Sequence, residues 1–436
     1  MSNFLWGAAT AAYQIEGAAG SGGRTPSIWD TFAKLPGRIH NGDNGDVACD
    51  HYHRYEEDLD LMSEMGLKAY RFSISWSRVL PTFDGPPNPE GIAFYSSLID
   101  GLIARGITPI LTIYHWDLPQ YLQDRGGWNN RESIEWFARY TEILVEAYGD
   151  RVKHWITINE PHCAAWFGHH RGWFAPGIAD LQTALNVAHH ILLAHGRATQ
   201  IIHENVRDSK VGLAPGLTPV YPATQSPEDL AAAAFMDAYD IRWFLDPIYG
   251  KGYPKEALER FGLTPPILDG DMEIVSAPTD FLGVNFYLKQ VAKAAPGSGF
   301  FDVDGVDTSG TPVTGMGWEI NPEALTDLLL RINRDYPVKE IFITENGSAW
   351  PDEVIDGAVN DSLRIKYFSE HLEAVHSAID LGVPVHGYFA WSLLDNFEWT
   401  HGYSKRFGLI YIDYPTQRRI IKSSGRWYAE YIASQI

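Results

Sequence analysis

Two short apolar runs end in a glutamate. Ile341-Phe342-Ile343-Thr344 leads into Glu345-Asn346-Gly347, and Trp155-Ile156-Thr157-Ile158-Asn159 leads into Glu160-Pro161. β-Branched and aromatic residues in such runs predict buried strands, so each carboxyl is expected at a strand's C-terminal lip. Pro161 ends its strand because it brings no N–H to the ladder. A carboxylate is costly to bury, and a single one could equally be half of a structural ion pair. Two of them, far apart in the chain, are what cleavage of a glycosidic bond requires. One carboxyl hands a proton to the leaving oxygen, and the other, ionised, attacks or stabilises the anomeric carbon.

The elements that must bring the pair together alternate regularly. Strands are expected at 4–7, 67–76, 108–116, 152–160, 210–214, 281–287, 341–346 and 385–394. Between and after them, helical periodicity falls near 52–65, 89–105, 130–148, 181–204, 227–244, 322–334, 361–381 and 424–434. Alternation implies a parallel sheet, and eight units imply a closed (β/α)8 TIM barrel of the α/β class. Unusual polar or aromatic residues sit at the C-terminal ends of these strands: Arg71, His115, Asn159 with Glu160, Asn285 with Tyr287, Glu345 and Trp391. Barrel enzymes place their chemistry on that face. An open doubly wound sheet fits the alternation but does not predict polar groups at the end of nearly every strand.

No linker or shift in composition divides the 436 residues, so 1–436 is expected to be one catalytic domain with long βα loops. The formal charge of −21 argues against nucleic acid or an acidic membrane as partner and suits a protein acting on small neutral molecules. Fifteen Trp and 22 Tyr supply flat faces on which sugar rings stack, although most are expected in the core. Only Cys49 and Cys163 are present, and neither a signal-like apolar stretch nor a run long enough to span a membrane occurs. These features place the protein in the cytoplasm. Residues 21–50 read as surface loop, and 289–320, rich in Gly, as a long loop over the site. His51 and His53 lack companion ligands, and the pairs His169-His170 and His189-His190 diverge, so neither a metal nor a cofactor is expected.

At this point the residues resemble a family. Thr157-Ile158-Asn159-Glu160-Pro161 and Ile343-Thr344-Glu345-Asn346-Gly347 are similar to the two signature segments of family-one glycoside hydrolases of the β-glucosidase type. Tyr13-Gln14-Ile15-Glu16-Gly17, Tyr70-Arg71-Phe72-Ser73, Tyr114-His115-Trp116-Asp117 and Trp391-Ser392 through Phe397-Glu398-Trp399 extend the likeness end to end. The resemblance implies Glu160 as general acid then base and Glu345 as nucleophile, with retention of configuration. It implies Gln14, His115, Asn159, Glu398 and Trp399 as partners of the sugar hydroxyls and Trp391 as the platform under the ring. Tyr287 and Arg71 would orient the nucleophile, Asn285 would support it, and Trp318 would meet the leaving group. The expected substrates are small-molecule β-glycosides, above all neutral β-glucosides and cello-oligosaccharides.

Electrostatics gives the same division of labour. A nearby Arg favours the charged form of Glu345, and ionised Glu345 across the cleft raises Glu160. Two alternatives stand beside this reading. In a 6-phospho-β-glucosidase, Lys405 would help hold a 6-phosphate, but Glu398 as a carboxylate would repel it, and Phe407 stands where a Tyr is expected. An inactive carbohydrate-binding barrel would lack one of the two carboxyls, and both are present.

Overall fold

A computed structural model describes residues 4–297, 300–306 and 310–435. Eight parallel strands close into a ring: β1 (Leu5–Ala9), β2 (Ala69–Ser73), β3 (Thr108–Tyr114), β4 (His154–Asn159), β5 (Lys210–Ala214), β6 (Phe281–Asn285), β7 (Ile341–Asn346) and β8 (Val385–Trp391). Each pairs with its neighbours in sequence, and β8 returns to β1 with Leu5 beside Gly387 and Ala9 beside Trp391. The barrel expected from the alternation is therefore the barrel observed.

Local chemistry fixes where the surrounding helices begin. Asn88, Ser226 and Asn321 each accept a first-turn N–H with the side chain, and each is followed by Pro, whose missing N–H costs nothing at that position. The helices 89–104, 227–237 and 322–335 start there. Each offers an apolar stripe to the outside of the barrel, such as Leu325, Leu328, Leu329 and Ile332 of the last.

Inside the ring, Ile110, Ile156, Phe281, Phe342 and Phe389 fill the lower layers and leave a void of only about 10 Å³. The rings of Phe281 and Phe342 meet edge to face at 4.9 Å between centroids. This floor is largely apolar and closely packed, and the next layer upward carries the polar groups. Two strands change register just below it: β4 against β5 between Ile156 and Asn159, and β7 against β6 between Ile343 and Glu345. An irregularity of this kind re-aims the side chains that follow. Both catalytic candidates lie immediately beyond one.

Three expectations need correction. Residues 21–50 are not all surface loop. Ser27 and Asp30 form a reciprocal capping box that starts a helix at 28–32, and Trp29 in it is fully buried. The stretch 289–320 is not structureless either. Gln290–Ala294 pairs with Val220–Pro222 and with Val303–Gly305 in a small sheet beside the barrel mouth. A hairpin at 410–421, unforeseen, closes the chain against the loop after β8. His51 and His53 are hydrogen-bonded to Asp58 and Asp50, at 2.7 and 2.6 Å. Among the described residues no helix is long and apolar enough to cross a membrane.

Candidate active site

Arg71, wholly buried on β2, ties four strands together just above the apolar floor. Its Nε donates to Thr112 Oγ1 (3.2 Å), Nη1 to the Thr344 carbonyl (3.0 Å) and to Glu345 Oε1 (2.7 Å), and Nη2 to Asn159 Oδ1 (2.5 Å). The second carboxylate oxygen of Glu345 accepts from the Tyr287 hydroxyl at 2.6 Å. Both oxygens of Glu345 are thus held by donors that favour its anion.

Glu160 is held more loosely and at a conformational cost. Its backbone lies at φ 41°, in the left-handed region that a non-glycine residue adopts at about 1–3 kcal/mol, and its N–H is anchored to the Ala214 carbonyl at 2.8 Å. Asn285 Nδ2 donates to Glu160 Oε1 (2.9 Å) and to Asn159 Oδ1 (3.0 Å), while Asn285 Oδ1 accepts from Thr344 Oγ1 (2.6 Å). Asn285 therefore links the two carboxyls through one hydrogen-bonded chain. Trp116 and Trp399 also sit at positive φ, 77° and 48°, so three strained residues surround one spot.

Burial pushes both glutamates above the ordinary range. Glu160 rises to about 7, from burial first and the charge of Glu345 second. At Glu345 burial also raises the carboxyl, but Arg71 and Tyr287 pull it back, so Glu345 ionises before Glu160. Desolvation stands first at both glutamates; the charge of Glu345 adds to it at Glu160, and Arg71 and Tyr287 oppose it at Glu345. Glu398 reaches about 8, through burial and then through Glu345 and Glu160, and at neutral pH it is mostly a neutral acid rather than the expected carboxylate.

These groups open into a cavity of about 530 Å³. Its wall includes His115, Glu160, Asn285, Tyr287, Trp318, Glu345, Trp391, Glu398 and Trp399. Gln14, Asn159 and Arg71 stand one layer behind. Gln14 Nε2 donates to Asn396 Oδ1 (3.0 Å) and the Phe397 carbonyl (2.9 Å), with Glu398 Oε2 at 3.5 Å. Asn159 turns its Oδ1 to Arg71 and Asn285, which directs its amide toward His115 Nε2 at 3.0 Å. His115, kept neutral by burial and Arg71, therefore carries its proton on Nδ1. That buried nitrogen and Gln14 Oε1 have no protein partner among the described residues.

The whole sequence, residues 1–436, matches the family described as "Glycosyl hydrolase family 1". The chain belongs to glycosyl hydrolase family 1. This family-1 hydrolase is 48% identical over 432 residues to a 1,4-beta-D-glucan glucohydrolase of Thermotoga neapolitana, covering 98% of this chain and 97% of that one. It is 46% identical to a bifunctional beta-D-glucosidase/beta-D-fucosidase of Bifidobacterium breve, over 99% and 97% of the two chains. A solved beta-glucosidase of Thermotoga maritima in complex with glucoimidazole superposes with a TM-score of 0.97 at 47% identity, covering 99% of this chain and 98% of that one.

The cavity of the family-1 hydrolase also holds residues that sequence reading did not single out. Trp116, Phe167, Trp173, Phe174, Leu217 and Met316 widen it on the apolar side. His162 and Cys163 line it next to Glu160. Their signal was faint: they follow Pro161 inside the π-helical coil at 163–170, whose wide turn has no hydrophobic period to read. Trp29 packs behind Trp399, the ring centroids 4.5 Å apart and the planes tilted by 44°, and the Ser27-x-x-Asp30 spacing could have revealed its helix.

Proposed function

We propose that this enzyme, a β-glucosidase that hydrolyses O-glycosides, works by double displacement with net retention, as one catalytic domain over 1–436. Glu345, its oxygens held by Arg71 and Tyr287, attacks the anomeric carbon. Glu160 gives its proton to the leaving oxygen. When Glu345 becomes an ester its charge disappears, one of the two causes holding Glu160 at about 7 is removed, and Glu160 becomes the base for water. The observation that carries this reading is the asymmetry of the donors: a guanidinium and a phenol on Glu345, an amide and a thiol on Glu160.

Terminal β-D-glucosyl residues of neutral glucosides and cello-oligosaccharides fit the cavity. Its lip offers His115, Glu398 and Trp399 to hydroxyls and Trp391 as a flat face, with Gln14 and Asn159 behind them. Among the described residues no Lys or Arg lines the cavity to meet a 6-phosphate; Phe407 forms that wall, and the Lys405 ammonium donates to the Gly315 carbonyl at 2.5 Å. Two free, buried thiols accord with a reducing cytoplasm. The deciding experiment is proton NMR of the first sugar released from a β-glucoside. β-Glucose before mutarotation is expected, and α-glucose would overturn the mechanism.

A further inference from the structure

The thiol of Cys163 takes no part in the double displacement, yet it touches the acid. Its Sγ lies 3.2 Å from Glu160 Oε2 and 3.3 Å from His162 Nε2, and that nitrogen is 3.9 Å from the same Oε2. A sulfur, a nitrogen and an oxygen therefore close one small triangle. Around a tetrahedral Zn²⁺, with bonds of about 2.3 Å to sulfur and about 2.0–2.2 Å to nitrogen and oxygen, the edges between ligands come to roughly 3.3–3.6 Å. The three observed separations bracket that range.

We propose that Glu160, His162 and Cys163 form a binding site for one borderline or soft divalent cation such as Zn²⁺, its fourth position open to the sugar cavity, and that occupancy switches turnover off by capturing the acid. Closing on the ion asks the donors for shifts of only a few tenths of an ångström. Glu160 is fixed by its left-handed turn, and His162 and Cys163 open the π-helical coil directly after it. A side chain at position 216 would stand in the way: a Cβ there would lie 2.5 Å from His162 Cε1 and 2.8 Å from Glu160 Oε1, and Gly216 leaves the place clear. Charge points the same way. Buried Glu160 and Glu345 and the partly buried Glu398 share the single guanidinium of Arg71, and a dication adds positive charge to that cluster.

Binding makes metal–sulfur, metal–nitrogen and metal–oxygen bonds and releases to solvent the thiol proton and any proton on Glu160. Nothing is oxidised or reduced. Hard Mg²⁺, which takes oxygen ligands and keeps its waters, does not suit this donor set. The effect on turnover rests on Glu160 being the acid, whereas the existence of the site does not.

The test measures cellobiose hydrolysis in Zn²⁺ or Mg²⁺, with each variant scaled to its own metal-free rate. Zn²⁺ is expected to inhibit reversibly, with recovery in chelator, and Mg²⁺ to leave the rate unchanged. Cys163→Ala and His162→Ala should each raise the half-inhibiting Zn²⁺ concentration at least about tenfold, the loss that even an outer-shell change inflicts on a metal site. Cd²⁺ should produce an ultraviolet thiolate-to-metal absorption that saturates at one ion per chain. It should vanish in Cys163→Ala and persist in Cys49→Ala, since Cys49 is fully buried against the Asp395 carbonyl. Equal inhibition of parent and both variants, or no such absorption, overturns the site. Full turnover with the cation demonstrably bound overturns instead the role given to Glu160.

Discussion

Two clusters of buried charge lie on the same side of the barrel, and they are built on opposite arithmetic. Under the loop after β8, Asp352, Asp361 and Asp395 meet Arg364, Arg406 and Lys422. Lys422 Nζ bonds Asp352 and Asp395 at 2.6 Å each, Arg406 bonds Asp395 at 2.7 Å, and Arg364 bonds Asp352 at 2.7 Å and also Asp361. Three anions face three cations. In the active site three carboxyls share Arg71. Burial alone would raise Asp395, but Lys422, Arg406 and Arg364 outweigh it and hold it below its usual 3.8. Glu160, also buried, and Glu398, partly buried, stay at about 7 and about 8. Depth does not decide whether a buried carboxyl is structural or reactive. The supply of partners does, and a site left short of cations keeps a proton to give.

The comparison breaks most severely at Glu345, the proposed nucleophile. Glu345→Ala removes the group both donors serve, and kcat/KM for every substrate should fall at least about a thousandfold while the circular dichroism stays native. In the compensated cluster, Asp395→Ala takes from Arg406 its carboxylate and leaves Lys422 with Asp352 alone. About 3–5 kcal/mol of stability should be lost, as read by urea unfolding, because an unpaired buried charge is what costs. If that variant were as stable as its parent, the pairing would contribute nothing to the fold.

Glu160→Gln sharpens the contrast in two ways. Hydrolysis of cellobiose, whose leaving group needs a proton, should drop about a hundredfold to ten-thousandfold, and p-nitrophenyl β-glucoside, whose leaving group does not, should suffer far less in its first step. The stability change should run opposite to that at Asp395. The folded pKa of Glu160, about 7, lies above its ordinary 4.5, so this carboxyl's contribution is fully present below about 4.5 and is lost as pH rises through 7. Asp395, whose folded pKa is lowered, contributes above 3.8 and loses that contribution on acidification. Glu160→Gln should therefore gain stability relative to the parent between pH 5 and 8. Parallel curves for the two proteins would show that Glu160 is not raised.

How much of this could be read from the sequence follows from the same physics. The eight strands were legible because parallel barrel strands are runs of Val, Ile, Leu and aromatics, and the glutamates were legible because each interrupts such a run. Gln14, on a short helix, and Asn159, at a strand end, are both fully buried beside the cavity, a depth that sequence does not give. The capping box at Ser27 and the hairpin at 410–421 depend on a few local hydrogen bonds and carry little periodic signal. Least visible was the weight of desolvation at Glu160 and Glu398, because burial is a property of the assembled pocket and of no single segment.

The smallest change isolates one donor. Tyr287→Phe removes the 2.6 Å hydrogen bond to Glu345 and leaves Arg71 in place. A hydrogen bond to a charged group contributes about 1.5–3 kcal/mol, so kcat/KM should fall roughly ten- to a hundredfold. The pH profile gives the more diagnostic result. That hydroxyl is one of the donors opposing the rise that burial imposes on Glu345, and without it the carboxyl should ionise at higher pH, moving the acid limb of kcat/KM upward. The alkaline limb, set by Glu160 near 7, should stay or move slightly down, since a Glu345 that is less fully ionised raises its neighbour less. A narrower bell is therefore expected. A bell that merely shrinks in height with both limbs unmoved would mean that Tyr287 positions the sugar and does nothing to the charge of the nucleophile.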